Sequence, residues 1–313
     1  MIRKAVIPAA GFGTRFLPAA KSQPKEMLPI VDTPVIQYVV EEAVAAGVTD
    51  ILMIIGKGKR AIEEHFDRNF ELEAELRERS KAEELRAVRR ISDMANIHFV
   101  WQKELRGLGD AVLHARPHVN NEPFLLLLGD TLIQSKAPIT GRLIDLYARY
   151  NETVVALEEV PEDKVERYGI VGGRSMDDGL YLIETLVEKP RRAEAPSNLA
   201  IAARYVFNPK IFDYIARTPP GKNGEIQLTD AMRLMLKDSA MYGLVLEGRR
   251  HDIGNKLDFL KTNVIYGLAR KELGDEFSRF IRETAKALGP DGARAGGKRS
   301  ASSARPGASQ RGE

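Results

Sequence analysis

Short apolar runs alternate with helical patterns along the first half of the chain. Residues 3 to 8 form an apolar run that leads into a glycine-rich loop, and the stretches DILMIIG, NIHFVWQ, EPFLLLLGD and TVVALEEV repeat this type. The apolar residues after the loop recur at helical spacing: Val35, Ile36, Val39, Val40, Ala43 and Val44. Continuous apolar strands separated by helices predict a mostly parallel sheet with helices on both faces.

The pattern changes from about residue 160. YGIVGG, GLYLIETLVEKP and LAIAARYVF are rich in β-forming residues and are separated by Gly and Asp, which predicts an antiparallel insertion at an edge of the sheet. GEIQLTDAMRLMLKD predicts a helix, MYGLVLEG a strand, and residues 256–272 and 275–287 two final helices. The predicted fold class is therefore α/β, with a Rossmann-like, mostly parallel sheet and a small β-rich insertion.

The basic charge of the chain lies at its C-terminus. The formal net charge is +3, and residues 289–313 hold five Lys or Arg against two acids, so the remaining 288 residues carry 42 charges of each sign. This segment is rich in Gly, Ala, Ser, Arg and Pro without apolar periodicity, which predicts a disordered, solvated tail and no nucleic-acid partner. We predict a single domain over residues 1–288, followed by this tail.

Residues 60–93 are dense in alternating charge. Apolar residues recur there at helical spacing (Leu72, Leu76, Leu85, Val88 and Ile91), which predicts helices outside the sheet. A solvated helical face and a contact between subunits both remain open for this segment.

Composition excludes several classes of site. The chain has no cysteine, which excludes disulfides, thiolate metal sites and a cysteine nucleophile. No apolar run reaches membrane-spanning length, and the N-terminus has only a five-residue apolar stretch. We therefore predict a cytoplasmic protein without a membrane partner.

The loop AAGFGTRFLPAAKSQPKEMLPI at residues 9–30 has the parts of a phosphate-binding site. It lacks the third glycine of a dinucleotide fingerprint, since Phe16 stands there, and it lacks the Gly-Lys-Ser/Thr of a Walker A loop. Its small residues bring backbone N–H groups close to a ligand, a helix starting near residue 14 would add its positive end, and Arg15 and Lys25 add charge. By these residues alone, a phosphate cradle and an ordinary strand-to-helix turn remain equally open.

The same loop resembles the signature of sugar-nucleotide pyrophosphorylases, and its long form is similar to the bacterial uridylyl branch of that family. Further stretches match the family in order, over residues 2 to 270: DRNFELEAELRERS, WQKELRGLGDAV, LLLLGD, VEKP, APSNLAIAARYVF, PGKNGEIQLTDAM and HDIGNKLDFLKTN. The resemblance implies a glycosyltransferase-A-like nucleotidyltransferase fold. It divides the domain into a nucleotide-binding half (1–160), a sugar-binding part (161–255) and C-terminal helices (256–288).

The resemblance also implies a reaction. A sugar 1-phosphate attacks the α-phosphorus of a nucleoside triphosphate and pyrophosphate leaves, which requires positioning and charge neutralisation and no protein nucleophile. The implied substrates are UTP and glucose 1-phosphate. The implied assembly of the protein is a homodimer or homotetramer. Arg15 and Lys25 would be catalytic, and the nucleotide would be held by Ala9, Ala10, Gly11, Gly13, Thr14, Gln102 and Gly107.

The remaining site residues follow from the same resemblance. Asp130 and Asp252 would hold Mg²⁺, which prefers hard carboxylate oxygens. The sugar phosphate would be bound by Gly169, Glu188, Lys189 and Arg204.

His114 and His118 stand four residues apart, but Pro117 and the lack of an acidic partner disfavour a zinc pair. Trp101 precedes Gln102 on an alternating strand and is expected to pack in the core on the opposite side.

Four positions depart from the pattern of the uridylyl branch. Gly129 replaces a common Pro and resembles the thymidylyl branch, Asp110 replaces a His after GLG, and His251 replaces an aromatic residue. Ala203, Arg204 and Tyr205 stand in place of GRY. A thymidylyltransferase that uses dTTP therefore remains an alternative, and so does a non-catalytic protein that binds nucleotide sugars.

Overall fold

The structure, a computed structural model, describes residues 2–221 and 224–288; the predicted tail lies outside the described residues. Its strands are β1 (Lys4–Pro8), β2 (Pro29–Ile30), β3 (Thr33–Pro34), β4 (Asp50–Ile55), β5 (Asn96–Trp101), β6 (Phe124–Leu127), β7 (Thr131–Ser135), β8 (Thr153–Glu159), β9 (Gly169–Ser175), β10 (Leu180–Glu188), β11 (Leu199–Phe207), β12 (Met241–Val245) and β13 (Gly248–Asp252). The helices up to β8 are α1 (Val35–Ala45), α2 (Arg60–Phe66), α3 (Phe70–Glu78), α4 (Ala82–Ser92), α5 (Leu108–Leu113), α6 (Arg116–Val119) and α7 (Ile139–Tyr150). The later helices are α8 (Ile211–Arg217), α9 (Leu228–Met235), α10 (Lys256–Ala269) and α11 (Gly274–Leu288).

One sheet of nine strands, in the order β5-β4-β1-β6-β11-β8-β12-β10-β9, forms the centre of the fold. The first four strands in this order are parallel to one another, as the sequence predicts for strands joined through helices. β11 pairs antiparallel with β6 and β8, so the sheet is mixed beyond β6. The α/β class is confirmed.

Helices cover both faces of the sheet. Val6, Leu52 and Leu126 point to one face, where they share a buried cluster with residues of α5, α8 and α9. Ile7 faces the other way because side chains alternate along a strand, and it lies close to Ile36 of α1 at Gly129. Burial on both faces explains why these strands read as continuous apolar runs.

The region after residue 160 contains the predicted antiparallel strands. β9 and β10 pair antiparallel at one edge of the sheet, whereas β11 lies inside it. Separately, β7 and β13 form a two-stranded antiparallel ribbon in which Asp252 lies opposite Thr131. This ribbon connects two segments that are distant in the sequence, and it fixes the position of the residues at its end.

Residues 60–93 form three helices, α2, α3 and α4, as their periodicity predicts. Glu73 of α3 is buried and accepts hydrogen bonds from Arg68 and Arg89, which holds α3 against α4. Arg68 donates from Nε at 2.9 Å and from Nη2 at 2.6 Å. These pairs lower the pKa of Glu73 to about 2, because the hydrogen bonds from Arg68 and Arg89 favour the charged carboxylate.

The chain divides into two compact units, one ending at Asn263 and one beginning at Val264. The second unit contains the end of α10 and the helix α11. Within it, a Cβ at Gly267 would lie 2.9 Å from the ring of Phe277, so glycine permits the close approach of the two helical segments. No helix among residues 2–221 and 224–288 is both long enough and apolar enough to cross a membrane.

Candidate active site

A cleft of about 420 Å³ lies at the carboxyl ends of β1 and β6, where open α/β sheets bind ligands. Seven of the predicted site residues line it: Ala9, Ala10, Gly11, Gly13, Thr14, Lys25 and Asp130. Gln102 and Gly107 line it as well, which brings the number to nine. The structure therefore gathers all predicted nucleotide-binding residues around one cavity, together with the predicted catalytic lysine, Lys25, and one of the two predicted metal ligands, Asp130.

The glycine-rich loop folds tightly around Lys25. Gly13 has a φ of +65°, and a Cβ there would lie 3.1 Å from the Cβ of Lys25. Glycine is therefore required both by the left-handed backbone and by the lysine behind it. The predicted helix near residue 14 is wrong: Thr14–Phe16 form only a three-residue 3-10 turn, closed by hydrogen bonds from the Phe16 N–H to the Gly13 carbonyl at 2.8 Å and from the Leu17 N–H to the Thr14 carbonyl at 3.2 Å. A phosphate cradle here depends on loop N–H groups and cationic side chains, without a helix dipole.

Lys25 donates a short hydrogen bond from Nζ to Oδ2 of Asp130. Burial disfavours the lysine's charge, but attraction to Asp130 and Glu26 outweighs it and raises the pKa of Lys25. The pKa of Asp130 is lowered, because the attraction of Lys25 outweighs the desolvation of the carboxylate. Lys25 is therefore a fixed cation at the floor of the cleft and remains charged over the physiological range.

A buried ion pair joins Glu26, the residue after Lys25, to Lys59. Nζ of Lys59 donates to Oε2 of Glu26 at 2.7 Å, and both side chains are almost fully buried. Burial lowers the pKa of Lys59 and raises that of Glu26, in each case against the attraction of the partner. The desolvation of two charges makes such a pair a source of fixed geometry more than of stability. The pair ties the backbone that carries Lys25 to the loop after β4.

We predict that Lys59→Met lowers the free energy of unfolding by about 3 kcal/mol, because it leaves the Glu26 carboxylate buried without its partner. Chemical denaturation would measure the change. The double variant Glu26→Leu/Lys59→Met should recover most of the loss, since neither charge then remains buried. Arg174→Ala is the matched control, because the Arg174–Glu184 pair is exposed and should contribute less than about 1 kcal/mol. A loss in Lys59→Met no larger than in this control would contradict the prediction.

The two predicted metal ligands meet near Gly254. Thr131 and Asp252 lie opposite each other in the β7–β13 ribbon, which brings the Asp130 and Asp252 side chains to the same end of it. A Cβ on Gly254 would lie 3.0 Å from Oδ1 of Asp252, 3.5 Å from Oδ2 of Asp130 and 3.9 Å from Nη1 of Arg15. Both carboxylates and the predicted catalytic arginine therefore surround one point, which glycine leaves open.

The electrostatics of this pair fit a cation. Burial, followed by repulsion from Asp130, raises the pKa of Asp252, so this carboxylate lacks full compensation in the protein alone, whereas Asp130 is paired with Lys25. Within the described ranges, 2–221 and 224–288, no group of three or more His, Asp or Glu is arranged around a metal position. Two carboxylates with an incomplete protein shell are typical of Mg²⁺ sites, in which water and substrate phosphates supply the other ligands.

The amide of Gln102 lies across the cleft, and the residue is 4% exposed. Its Nε2 donates to Oδ2 of Asp110 at 2.7 Å and to the carbonyl of Gly107 at 3.3 Å. Gly107 has a φ of +101°, and a Cβ there would lie 2.8 Å from the carbonyl oxygen of Ile226. The segment that carries Gly107 is thus packed against the chain that precedes α9, and this contact fixes the wall of the cleft.

Three of the predicted sugar-phosphate ligands lie together at the ends of β9 and β10. A Cβ on Gly169 would lie 3.2 Å from Oε2 of Glu188, and Nζ of Lys189 lies 3.0 Å from Oε1 of Glu188. The hydroxyl of Thr229 donates to Oε2 of Glu188 at 2.8 Å, which orients the carboxylate from α9. Lys189 has a positive φ of 46°, and its N–H donates to the carbonyl of Tyr168.

The structure corrects the prediction for Arg204. Its side chain is 0% exposed, and it donates to both carboxylate oxygens of Glu42, from Nε at 2.9 Å and from Nη2 at 2.7 Å. Nη2 also donates to the Thr131 carbonyl, and Nη1 to that of Ala203. A register shift in β11 and the positive φ of Ala203 accompany this inward placement. Arg204 therefore supports the residue after Asp130 from inside the protein, and its buried guanidinium is not placed to bind a sugar phosphate.

One other expectation, the burial of Trp101, differs from the structure. Trp101 faces away from Gln102 as alternation predicts, but it is 51% exposed because β5 is the edge strand of the sheet. The ring of His118 lies 5.0 Å from that of His98, and Nε2 of His118 is 2.9 Å from Oδ1 of Asp50. Nδ1 of His114 instead lies 2.9 Å from the backbone carbonyl oxygen of Asp110. The two histidines of the disfavoured zinc pair therefore have separate partners.

The sequence did not point to Lys59, Thr229 or Gly254. Thr229 and Gly254 lie within the matched stretches PGKNGEIQLTDAM and HDIGNKLDFLKTN, but their types alone did not indicate a role. Lys59 lies outside these stretches, and its partner Glu26 is distant in the sequence. Glu26 gave a weak signal, because it follows Lys25 inside the loop signature and is a charged residue in an apolar context.

Comparison with known proteins gives a consistent family. The nucleotidyl transferase family model matches residues 4–267. A UTP–glucose-1-phosphate uridylyltransferase from Staphylococcus haemolyticus is 48% identical over 282 residues, which cover 90% of this chain and 98% of the relative. A crystal structure of UDP-glucose pyrophosphorylase complexed with UDP-glucose is 40% identical, with a TM-score of 0.80, over 86% of this chain and 100% of that one. The UTP-bound UGPase from Acinetobacter baumannii is also 40% identical, with a TM-score of 0.84, over 90% of this chain and 99% of that one. The chain belongs to the nucleotidyl transferase family.

Proposed function

We propose that this protein transfers a uridylyl group from UTP to glucose 1-phosphate, forming UDP-glucose and pyrophosphate. The observation that carries the proposal is the single cleft in which Lys25, Asp130 and the Gln102 amide meet, in a chain so similar to uridylyltransferases. In the reaction, an oxygen of the sugar phosphate forms a bond to the α-phosphorus, and the bond from that phosphorus to the bridging oxygen of pyrophosphate breaks.

Each part of the cleft has a role in this proposal. The loop of Ala9, Ala10, Gly11, Gly13 and Thr14 holds the nucleotide, with Arg15 and Lys25 beside its phosphates. Gln102 and Gly107 contact the base, and Gly169, Glu188 and Lys189 hold the sugar phosphate. Catalysis then depends on in-line positioning and on neutralising the charge that develops on the leaving pyrophosphate, so a covalent intermediate is not required.

We assign Mg²⁺ to Asp130 and Asp252, whose carboxylates converge at Gly254. When bound, Mg²⁺ would neutralise phosphate charge and orient the triphosphate. Lys25 holds Asp130 in place through its ion pair, and Nη1 of Arg15 lies close to the same point. The fixed side chains thereby set where the phosphates can bind.

The dTTP-using reaction is the second candidate. Uracil and thymine differ by one methyl group, whose burial is worth only about 0.8 kcal/mol. Gly129 favours this candidate, because it resembles the thymidylyl branch, and it packs tightly: a Cβ there would lie 3.1 Å from Ile36 and 3.2 Å from the Pro8 carbonyl. A non-catalytic nucleotide-sugar-binding protein would be expected to lack Lys25 or one of the aspartates, and this chain has all three. A cytoplasmic homodimer or homotetramer remains a prediction from the resemblance.

Pyrophosphate release tests the proposal directly. The purified chain would be incubated with glucose 1-phosphate and each of UTP, dTTP, ATP, CTP and GTP, with and without Mg²⁺. We expect release with UTP at a rate at least about tenfold higher than with CTP, and dependence on Mg²⁺. Preference for dTTP would select the second candidate, and no release with any nucleotide would overturn the enzymatic proposal.

A further inference from the structure

The orientation of the Gln102 amide is fixed by its neighbours. Nε2 is 2.7 Å from Oδ2 of Asp110 and 3.3 Å from the carbonyl oxygen of Gly107. A carboxylate and a carbonyl can only accept hydrogen bonds, and the amide group can donate only from its nitrogen. The alternative, flipped amide would place its oxygen against two other acceptors, so this network admits one orientation.

This orientation leaves the amide oxygen for a ligand. Both hydrogens of Nε2 have protein acceptors, whereas no protein group within residues 2–221 and 224–288 donates a hydrogen bond to Oε1 of Gln102. The residue lines the cleft together with Gly107 and is 4% exposed. Gln102 thus offers an acceptor, and no donor, to a base that enters the cleft.

We propose that Asp110 is a positioning residue that makes Gln102 select nucleobases with an N–H donor at position 3. The inference rests on the proposed function and specifies how its base is chosen. Uracil and thymine carry a hydrogen on N3 that can donate to Oε1, whereas N3 of cytosine carries a lone pair. Cytosine would therefore bring an acceptor against an acceptor, at the cost of an unmade hydrogen bond in a buried site.

Packing against the segment before α9 holds Asp110 where it can act. The N–H of Gly109 donates to the Ile226 carbonyl at 2.9 Å, and that of Ile226 donates to the Arg106 carbonyl at 2.7 Å. A Cβ on Gly109 would lie 2.8 Å from the Ile226 oxygen, so only glycine permits this close backbone approach. The Asp110 backbone is consequently fixed, and its carboxylate meets Gln102 without a large loss of side-chain freedom on binding.

Asp110 also lies in the first turn of α5, where its negative charge would interact favourably with the helix dipole. A role confined to the helix would change stability and would affect all nucleotides alike. The two interpretations therefore differ in one measurable quantity, the ratio of kcat/KM for UTP to that for CTP.

Asp110→Ala and Asp110→Asn test the inference. In Asp110→Ala we expect the UTP:CTP ratio to fall about 10- to 100-fold, the factor of a charge-assisted hydrogen bond. The UTP:dTTP ratio should stay within about threefold of the wild-type value, because both bases carry the same N3–H donor. Asp110→Asn keeps an acceptor oxygen in place and should retain more of the UTP:CTP ratio than Ala does. An unchanged UTP:CTP ratio in Asp110→Ala, or a ratio in Asn no higher than in Ala, would overturn the inference.

Two comparisons isolate the contact. In the Gln102→Ala background, Asp110→Ala should cause no further fall in the UTP:CTP ratio, and an equal fall in both backgrounds would overturn the inference. Glu104→Ala is the matched control, because it removes a carboxylate of the same loop whose partner is the exposed Arg106. If wild type itself fails to use UTP, the proposed function fails; if wild type prefers UTP and Asp110→Ala keeps that preference, only the role of Asp110 is overturned.

Discussion

Lys25→Ala should lower kcat with UTP by about 10²- to 10³-fold, the range typical of removing one preorganised donor from a site of charge development. Lys25 is held at the floor of the cleft by Asp130, and its pKa is raised, so the ammonium is present at all pH values at which the protein is expected to work. Because the cation is already in place before substrate binds, its stabilisation of the leaving phosphates costs little reorganisation. The loss should therefore appear mainly in kcat.

Steady-state rates of pyrophosphate release would measure this change. Lys21→Ala is the matched control, because Lys21 is an exposed lysine of the same loop. It should keep kcat within about twofold of wild type. Lys25→Ala also leaves Asp130 without its ion pair, so the pKa of that carboxyl should rise, and thermal melting should accompany the kinetics to verify that the variant is folded. Wild-type turnover in folded Lys25→Ala would remove the assigned role.

Much of the cleft could be predicted because its residues follow buried strands. Parallel strands place their carboxyl ends at one edge of the sheet, so the loop after β1 and Asp130 after β6 had to lie close together. Gln102 follows β5 in the same way. The meeting of Asp130 with Asp252 depended on the resemblance, because the β7–β13 ribbon that joins them gives no strong sequence signal.

The residues that sequence reasoning misplaced depend on tertiary context. Nothing in LAIAARYVF shows that the arginine turns inward, since this follows from a register shift in β11 and from Glu42 on a distant helix. Trp101 has the pattern of a core residue, but its strand lies at the sheet edge. The helix expected near residue 14 is a single 3-10 turn, because the chain continues into a loop that wraps around Lys25. A long-range partner decides the first, strand order the second and the path of the loop the third.

Asp110 is a further residue whose role cannot be inferred from the sequence alone. In the sequence it is only a departure from the family pattern, eight residues from Gln102 and without an evident partner. In the structure its carboxylate accepts a hydrogen bond from the amide of Gln102, which lines the cleft. A substitution that looks like a loss of the family residue thus becomes an interpretable feature only when the hydrogen-bond acceptors around Gln102 are known.

Asp252→Asn should reduce activity by about 10³-fold and at the same time make the free protein more stable. The loss of activity is expected because the amide weakens binding of Mg²⁺, which otherwise contributes several kcal/mol of charge stabilisation. The gain in stability is expected because the pKa of Asp252 is raised by burial and by repulsion from Asp130. A carboxyl whose folded pKa lies above its unfolded pKa contributes stability below the unfolded value, and that stability is lost as the pH rises through the folded value. At neutral pH, Asn removes the cost of the buried charge and can still accept the N–H of Gly254.

Melting curves without metal, recorded at pH 7 and at pH 3, together with Mg²⁺ titrations of activity, would test this prediction. We expect Tm at pH 7 to rise by about 2 °C in Asp252→Asn, with a smaller difference from wild type at pH 3, where both side chains are neutral. Saturating Mg²⁺ should stabilise wild type and should have less effect on the variant, because only wild type binds it tightly. Asp163→Asn, at an exposed position outside the cleft, should change neither quantity. Loss of stability in Asp252→Asn at pH 7 would show that the Asp252 carboxylate is compensated in the free protein, which would contradict the electrostatic argument for the proposed metal site.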